Sequence, residues 1–293
     1  MSTTLTHSVE TNLSISGVFS NSHFKRVINK GKSAFIDSKI KKYIVDLKLN
    51  NEATRKDVLD TFYNYLLSDY RCEYVYKSLI TKNILLGRHS LNTTTQLNEF
   101  RVGSSLADSV LINGKAVVYE IKTELDTIER LEDQLADYKK AFPFICLVTH
   151  HSLTDKYQKL LKGSTVGLIA LSKNLHLSEI QKAEPEYQGL DIVTMFKTLR
   201  KPEFSNLINE YYGYVPDVPN MYFFKECLNL ALKIDKSEFH ELMSKELKKR
   251  KLKDIRPFES NLIPDYLSNI CLNIDPNETQ YERLFQFLNQ KID

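Results

Sequence analysis

The sequence predicts a mixed α/β protein, a sheet of the α+β kind with helices packed around it. Three observations carry this. Residues 97–122, "LNEFRVGSSLADSVLINGKAVVYEIK", are short-period, β-branched and broken by Gly and Asn-Gly, the pattern of adjacent strands. The segments on either side repeat apolar residues at three- and four-residue steps. After residue 140, the apolar runs "PFICLVTH" and "VGLIALS" alternate with a helical stretch, as strands joined by helical crossovers do.

Taken in order, residues 1–20 read as a loose polar tail without a basic-then-apolar leader. Residues 22–48 predict one or two short basic helices. In "TRKDVLDTFYNYLLSDY" the apolar positions Val58, Leu59, Phe62, Tyr65 and Leu66 have helical spacing. "SDYRCEYVYKSLITKNILLGR" predicts the next helix, capped by Ser68 or Asp69 and stopped at Gly87. Strands follow over 97–102, 106–112 and 116–122, the last two joined by an Asn113-Gly114 hairpin. "DTIERLEDQLADYKKAF" returns to helix, with Asp126 in the cap position and Glu129 three residues on. "PFICLVTH" is a buried strand, "SLTDKYQKLLKG" a helix capped by Ser152, and "VGLIALS" another strand. The order over 70–172 is therefore α-β-β-β-α-β-α-β. Beyond 190 the pattern is helical to the end. The organisation this suggests is a basic tail with short helices over 1–50, a sheet-bearing core over 51–180, and a helical region over 190–293. The expected boundary is "AEPEYQGL" near 183–190.

Bulk composition excludes several classes. No apolar run is long enough to span a bilayer. Cys72, Cys146, Cys227 and Cys271 lie far apart with no C-x-x-C pair, against both a zinc site and a disulfide scaffold, and suggest reduced thiols in a cytoplasm. The net charge of +3 is too small to mark a nucleic-acid binder by itself. It is unevenly spread, however. "FKRVINKGKSAFIDSKIKKY" and "SKELKKRKLKDIR" are both basic, and each reads either as phosphate contacts or as a solvated helix face.

The chemistry concentrates in the strands. Glu120 and Lys122 interrupt an apolar run two residues apart, so they share one face. Asp108 interrupts the preceding strand. A two-residue Asn113-Gly114 loop would pair Asp108 with Tyr119 and turn Asp108 away from Glu120. A three-residue loop, or a bulge, shifts the register by one and puts Asp108, Glu120 and Lys122 on a common face. Two carboxylates held together repel, and a divalent cation resolves the conflict. All-oxygen ligands select Mg²⁺ or Mn²⁺, and the Ile121 carbonyl is a further oxygen between acid and base. A metal-activated water beside a lysine is equipment for hydrolysing a phosphodiester. The plain alternative is a solvated sheet edge, because acid-x-Lys is a weak pattern alone.

An Asp on one strand and Glu120-Ile121-Lys122 on the next, with a helix before and an α-β-α-β run after, resembles the PD-(D/E)XK nuclease superfamily and its restriction-endonuclease-like fold. Gln134 and Tyr138 in the following helix match the Q-x-x-x-Y pattern of its RecB-like and Cas4-like branch. "ADSVLINGKAVVYEIKTELDTIERLEDQLADYKKAF" is similar to an uncharacterised bacterial family of that superfamily met near mobile elements. Ala107 stands where the superfamily's Pro usually precedes the Asp. The resemblance covers about 70–175, and the helical C-terminal part more loosely. It implies a metal-dependent nuclease acting on DNA before RNA, with Asp108 and Glu120 on the metal, Lys122 assisting the water, and Gln134 and Tyr138 placing substrate or supporting the lysine. It also implies a Glu on the helix before the sheet completing the metal shell. Glu73 is the candidate, with Glu99 the alternative and a plain Glu73–Lys77 pair the bland reading. Such a protein would act in the cytoplasm as a phage-defence or mobile-element component, as a homodimer or with a defence-system protein partner. The competing expectation is an inactive nucleic-acid-binding or partner-binding module on the same fold. His150 and His151 at a strand end, Cys146 in an apolar run, and Ser104 and Ser105 outside any nucleophile elbow carry no site.

Overall fold

A computed structural model describes residues 8–47, 49, 52–87 and 90–292. It is mixed α/β, with fourteen α-helices and one six-stranded sheet among those residues. The chain forms two compact units, one of residues 1–84 with 252–293 and one of residues 85–251.

The first unit is helical. Its N-terminal part holds α1 (Val9–Ser16), α2 (Asn21–Lys30), α3 (Ala34–Leu47), α4 (Arg55–Asp69) and α5 (Glu73–Ile80). The expected loose tail is therefore helical from Val9. Ser8 caps α1 by accepting from Thr11 N–H, and Thr11 and Ile15 are buried. Thr54 and Asp57 form a reciprocal capping box that starts α4. Ser68 and Asp69 are not the cap expected for the next helix. They close α4, and α5 begins after Cys72. A π-helical turn, Thr81–Leu86, continues α5, and Gly87 is still helical, so it does not stop the helix there.

The sheet unit contains β1 (Thr95–Val102), β2 (Ser105–Asn113), β3 (Lys115–Lys122), α6 (Leu131–Lys139), β4 (Phe144–His150), α7 (Thr154–Leu160), β5 (Gly167–Leu171) and β6 (Leu177–Gln181). The expected α-β-β-β-α-β-α-β order is present. The strands lie in sequence order, β1-β2-β3-β4-β5-β6; β3–β4 and β4–β5 are parallel and the other three pairs antiparallel. β6 was not foreseen. Its residues are mostly exposed and polar, the composition of a blunted edge strand rather than a buried one.

Helices α8 (Ile192–Lys197), α9 (Lys201–Tyr212), α10 (Asn220–Ala231) and α11 (Lys236–Lys248) complete this unit. One hydrophobic core joins them to α6 and to a single sheet face, through Val110, Ile112, Ala116, Val118, Ile145, Leu147 and Leu168. The segment 183–190 is no boundary. Glu184 N–H donates to Thr165 at 2.9 Å, Glu186 N–H to Pro143 at 3.0 Å, and Leu190 is buried in that core. Residues 252–292 belong instead to the helical unit, as α12 (Arg256–Glu259), α13 (Asp265–Ile274) and α14 (Glu278–Asn289). The three-part division by sequence fails because this unit is assembled from the two ends of the chain. No helix among the described residues is long and apolar enough to cross a membrane.

Candidate active site

The hairpin between β2 and β3 settles the register. Ile112 pairs with Ala116 and Asn113 with Lys115, leaving Gly114 at the tip with φ +69°, a left-handed conformation that glycine adopts without strain. This is the three-residue form of the loop. Ser109 therefore faces Tyr119, and the next register position sets Asp108 opposite Glu120 on one face. Ala116 and Val118 continue that face into the core beneath α6.

Glu120 is 2% exposed and Lys122 8%. The Lys122 ammonium lies 3.3 Å from Glu120 Oε1 and donates to Gln134 Oε1 at 2.8 Å. Gln134 Nε2 donates to Glu120 Oε1 at 2.6 Å. The Tyr138 hydroxyl lies 2.8 Å from Glu120 Oε2 and 2.8 Å from the Leu106 carbonyl oxygen. Gln134 and Tyr138 meet Glu120 together because four residues on a helix place two side chains on one face. Of the residues expected here, the fold thus joins Glu120, Lys122, Gln134 and Tyr138 in one network.

Asp108 is half-buried, and its Oδ2 accepts the Ile121 N–H at 2.8 Å. The β2–β3 ladder has ended at Ser109 and Tyr119, so the carboxylate takes a bond that another backbone carbonyl would otherwise supply. In a strand the N–H and C=O of one residue point to the same edge. The Ile121 carbonyl consequently faces the side on which Asp108 lies.

Burial raises the Glu120 pKa, against the lowering effect of the Tyr138 bond and the Lys122 charge. Tyr138 is held protonated, first by burial and then by the fields of Glu120 and Asp108. Its one proton faces two oxygens at equal distance. A proton on Glu120 would supply the second contact, and burial favours it there.

The two Glu candidates behave differently. Glu73 lies on α5 in the helical unit, 53% exposed, and pairs with Lys77 at 2.5 Å in an i,i+4 ion pair, as the bland reading had it. Glu99 is exposed, has φ +51°, and falls opposite Asp108 in the β1–β2 register. Among the described residues no three acid, His or Cys side chains converge as a ready metal cage. The donor set that does exist is all-oxygen: Asp108, Glu120 and the Ile121 carbonyl. It fits Mg²⁺ or Mn²⁺ as a two-carboxylate site completed by water.

Asp126 does not cap α6, which starts only at Leu131. Its carboxylate instead accepts from Thr123 N–H at 2.7 Å and Thr123 Oγ1 at 2.8 Å, closing a turn directly after Lys122. Asp137 was missed by sequence reasoning. It is nearly buried and accepts from Ser104 N–H at 3.0 Å, Ser104 Oγ at 2.7 Å, Ser105 Oγ at 2.9 Å and Lys140 at 2.9 Å. It pins α6 to the β1–β2 turn one residue before Tyr138. The only sequence signal was Gly103-Ser104-Ser105, a turn rich in donors.

The fold and cluster define a mixed α/β protein with a buried acid–lysine pair on a central strand, backed by a Gln and a Tyr from one helix. Residues 67–265 match the family described as Bacteriophage P4 protein cII, and the chain belongs to that family. It is 29% identical over 126 residues to protein cII of Enterobacteria phage P4, a match covering 41% of this chain and 47% of that protein. The chain thus spans about half the length of the curated relative it matches. No solved structure matches.

Proposed function

We propose that this protein is a metal-dependent nuclease of the PD-(D/E)XK kind, with the restriction-endonuclease-like fold, hydrolysing phosphodiester bonds in DNA before RNA. The observation that carries this is the common face: Asp108 in register with Glu120, Lys122 two residues on, and Gln134 and Tyr138 from α6 bonded to Glu120. Asp108, Glu120 and the Ile121 carbonyl would hold Mg²⁺ or Mn²⁺, which supplies an acidified water as nucleophile when bound. Lys122 places a positive charge where charge develops on the phosphoryl group. Gln134 holds the lysine through its Oε1 and the acid through its Nε2, so it sets the distance between them. Tyr138 orients Glu120 from below. Kinship with a phage protein supports a role on a mobile element, in the cytoplasm of its host.

A second reading has its own support. Both Glu120 oxygens already have donors and Asp108 is bonded to backbone, as in a site retained for shape alone. The protein would then be a non-catalytic nucleic-acid-binding or partner-binding module. Incubation with linear, circular and single-stranded DNA and with RNA, with Mg²⁺ or Mn²⁺, separates the two. Cleavage that needs metal and vanishes in Lys122→Ala is the expected result. Cleavage unchanged in Lys122→Ala, or none on any substrate, overturns the nuclease assignment.

A further inference from the structure

The helical unit carries a feature that the Glu120 cluster does not use. Residues 21–45 hold seven cations, Lys25, Arg26, Lys30, Lys32, Lys39, Lys41 and Lys42, against one acid, Asp37, a local net charge of +6. With the whole chain at +3, the rest sums to −3. One of the two basic segments of the sequence thus lies in this helical hairpin, and it precedes the family match at 67–265.

The fold sorts these residues onto one kind of face. On α2, Phe24, Val27 and Ile28 are buried, whereas Ser22, Lys25, Arg26, Asn29 and Lys30 are exposed, the i, i+3, i+4, i+7, i+8 pattern of a single helix face. On α3, Ile36, Ile40, Tyr43 and Leu47 are buried, and Ala34, Ser38, Lys41, Lys42 and Val45 are exposed with the same period. Gly31, with φ +68°, opens the three-residue turn between them, and Lys32 is exposed on it. Lys39 lies 4.9 Å from the centre of the Phe35 ring, which stacks on His23 at 4.1 Å.

Little neutralises this charge. Asp37 is committed to Arg55 at 2.6 Å. Glu10 meets Lys42 at 2.7 Å in an exposed pair of the kind worth little. Among the described residues no acid lies within ion-pair distance of Lys25, Arg26, Lys30, Lys32 or Lys41. The other basic segment of the sequence differs. In α11 and after it, Lys245 pairs with Glu210, Lys249 with Glu246, and Arg250 with Glu203 at 2.7 Å.

We infer that the exposed faces of α2 and α3 and the turn between them form a phosphate-backbone surface that holds duplex nucleic acid. A membrane is disfavoured because the apolar faces of both helices point inward; of their apolar residues only Ala34 and Val45 are exposed, too little surface to insert. An acidic protein would need side-chain complementarity, and these faces offer almost only charge and hydrogen-bond donors. A regular polyanion needs nothing more. The inference does not depend on the Glu120 cluster being catalytic.

The test is binding of the full chain to a short labelled DNA duplex in EDTA, followed by anisotropy over a salt series. Without divalent metal no cleavage occurs, so failure here is separate from failure of the nuclease reading. Lys25→Ala/Arg26→Ala/Lys30→Ala/Lys32→Ala should reduce the slope of log affinity against log salt by roughly 3.6, about 0.9 per cation removed. Affinity at moderate salt should fall at least about tenfold. Lys245→Ala/Lys249→Ala, which removes paired cations, should leave both unchanged. Lys25→Gln/Arg26→Gln keeps side-chain bulk and should give about half the slope change, whatever the fate of the quadruple variant. An unchanged slope in both α2 variants, equal losses in the control, or binding to phosphatidylserine vesicles without binding to duplex would each overturn the inference.

Discussion

Tyr138→Phe removes one oxygen from the middle of the Glu120 network and leaves the ring in place. Tyr138 is fully buried, so the packing around it is kept and only the hydroxyl is tested. That hydroxyl lies 2.8 Å from Glu120 Oε2 and 2.8 Å from the Leu106 carbonyl. A hydrogen bond to a charged group contributes about 1.5–3 kcal/mol, and acceptors abandoned in a dry place cannot turn to water. Glu120 recovers part of the loss by taking up a proton, which its burial already favours. A net loss of about 2 kcal/mol near neutral pH follows. With two compact units in the chain, a single unfolding free energy is the wrong observable. Amide hydrogen exchange reads each element by itself. Amides of β3 and α6 that exchange through opening of the sheet unit should do so roughly 30-fold faster, at 1.36 kcal/mol per decade. Amides of α2 and α13 should not change. A difference below about threefold at β3, or uniform acceleration along the chain, would refute the bond between phenol and Glu120.

Further outcomes follow from the same geometry. Burial depresses the His240 pKa to about 4, while an unfolded histidine titrates near 6.5. The unfolded state therefore takes up a proton that the folded state refuses, so stability is full above about 6.5 and falls as pH drops toward about 4, by roughly 3 kcal/mol over that window. His240→Gln should flatten the pH dependence of amide protection in the sheet unit over this window; a slope equal to wild type would contradict it. Gly103→Ala forces a side chain into φ +59° with its Cβ 2.9 Å from Asp137 Oδ1. About 1–2 kcal/mol of protection should be lost in β1 and β2, and wild-type exchange there would show that Asp137 does not pin the turn. Lys122→Met removes a charge that lowers the Glu120 pKa, so a carboxyl-carbon NMR titration should place that pKa higher than in wild type; no upward movement would mean the pair is not electrostatically coupled.

Much of the sheet could be read from residues 97–122. Alternation and Asn113-Gly114 located the strands, but the register stayed open between two parities. Only the fold shows that Asn113 pairs with Lys115, and on that one step depends whether Asp108 joins Glu120. The spacing of Gln134 and Tyr138 put both on one helix face, but only the fold shows that this face meets Glu120. Three features were not legible, each for a physical reason. α1 has only Thr11 and Ile15 buried, too few to mark an apolar stripe. β6, "LSEIQ", is a half-exposed edge with no buried alternation. The helical unit joins residues 8–84 to 252–292, and no local pattern reports which distant segment a helix packs against. Asp126 shows a subtler failure: an Asp before an apolar stripe reads as a cap, but Thr123 competes for it and wins.

The central claim is that Asp108 and Glu120, on neighbouring strands, form one divalent-cation site. Calorimetric titration of Mn²⁺ into the wild-type chain, Asp108→Asn and Glu120→Gln addresses it most directly. One equivalent of Mn²⁺ bound by wild type, and weakened by at least about tenfold in each variant, is the expected result, since each removes one of two charged ligands. No Mn²⁺ binding to the wild type, or binding that neither substitution alters, would contradict the claim.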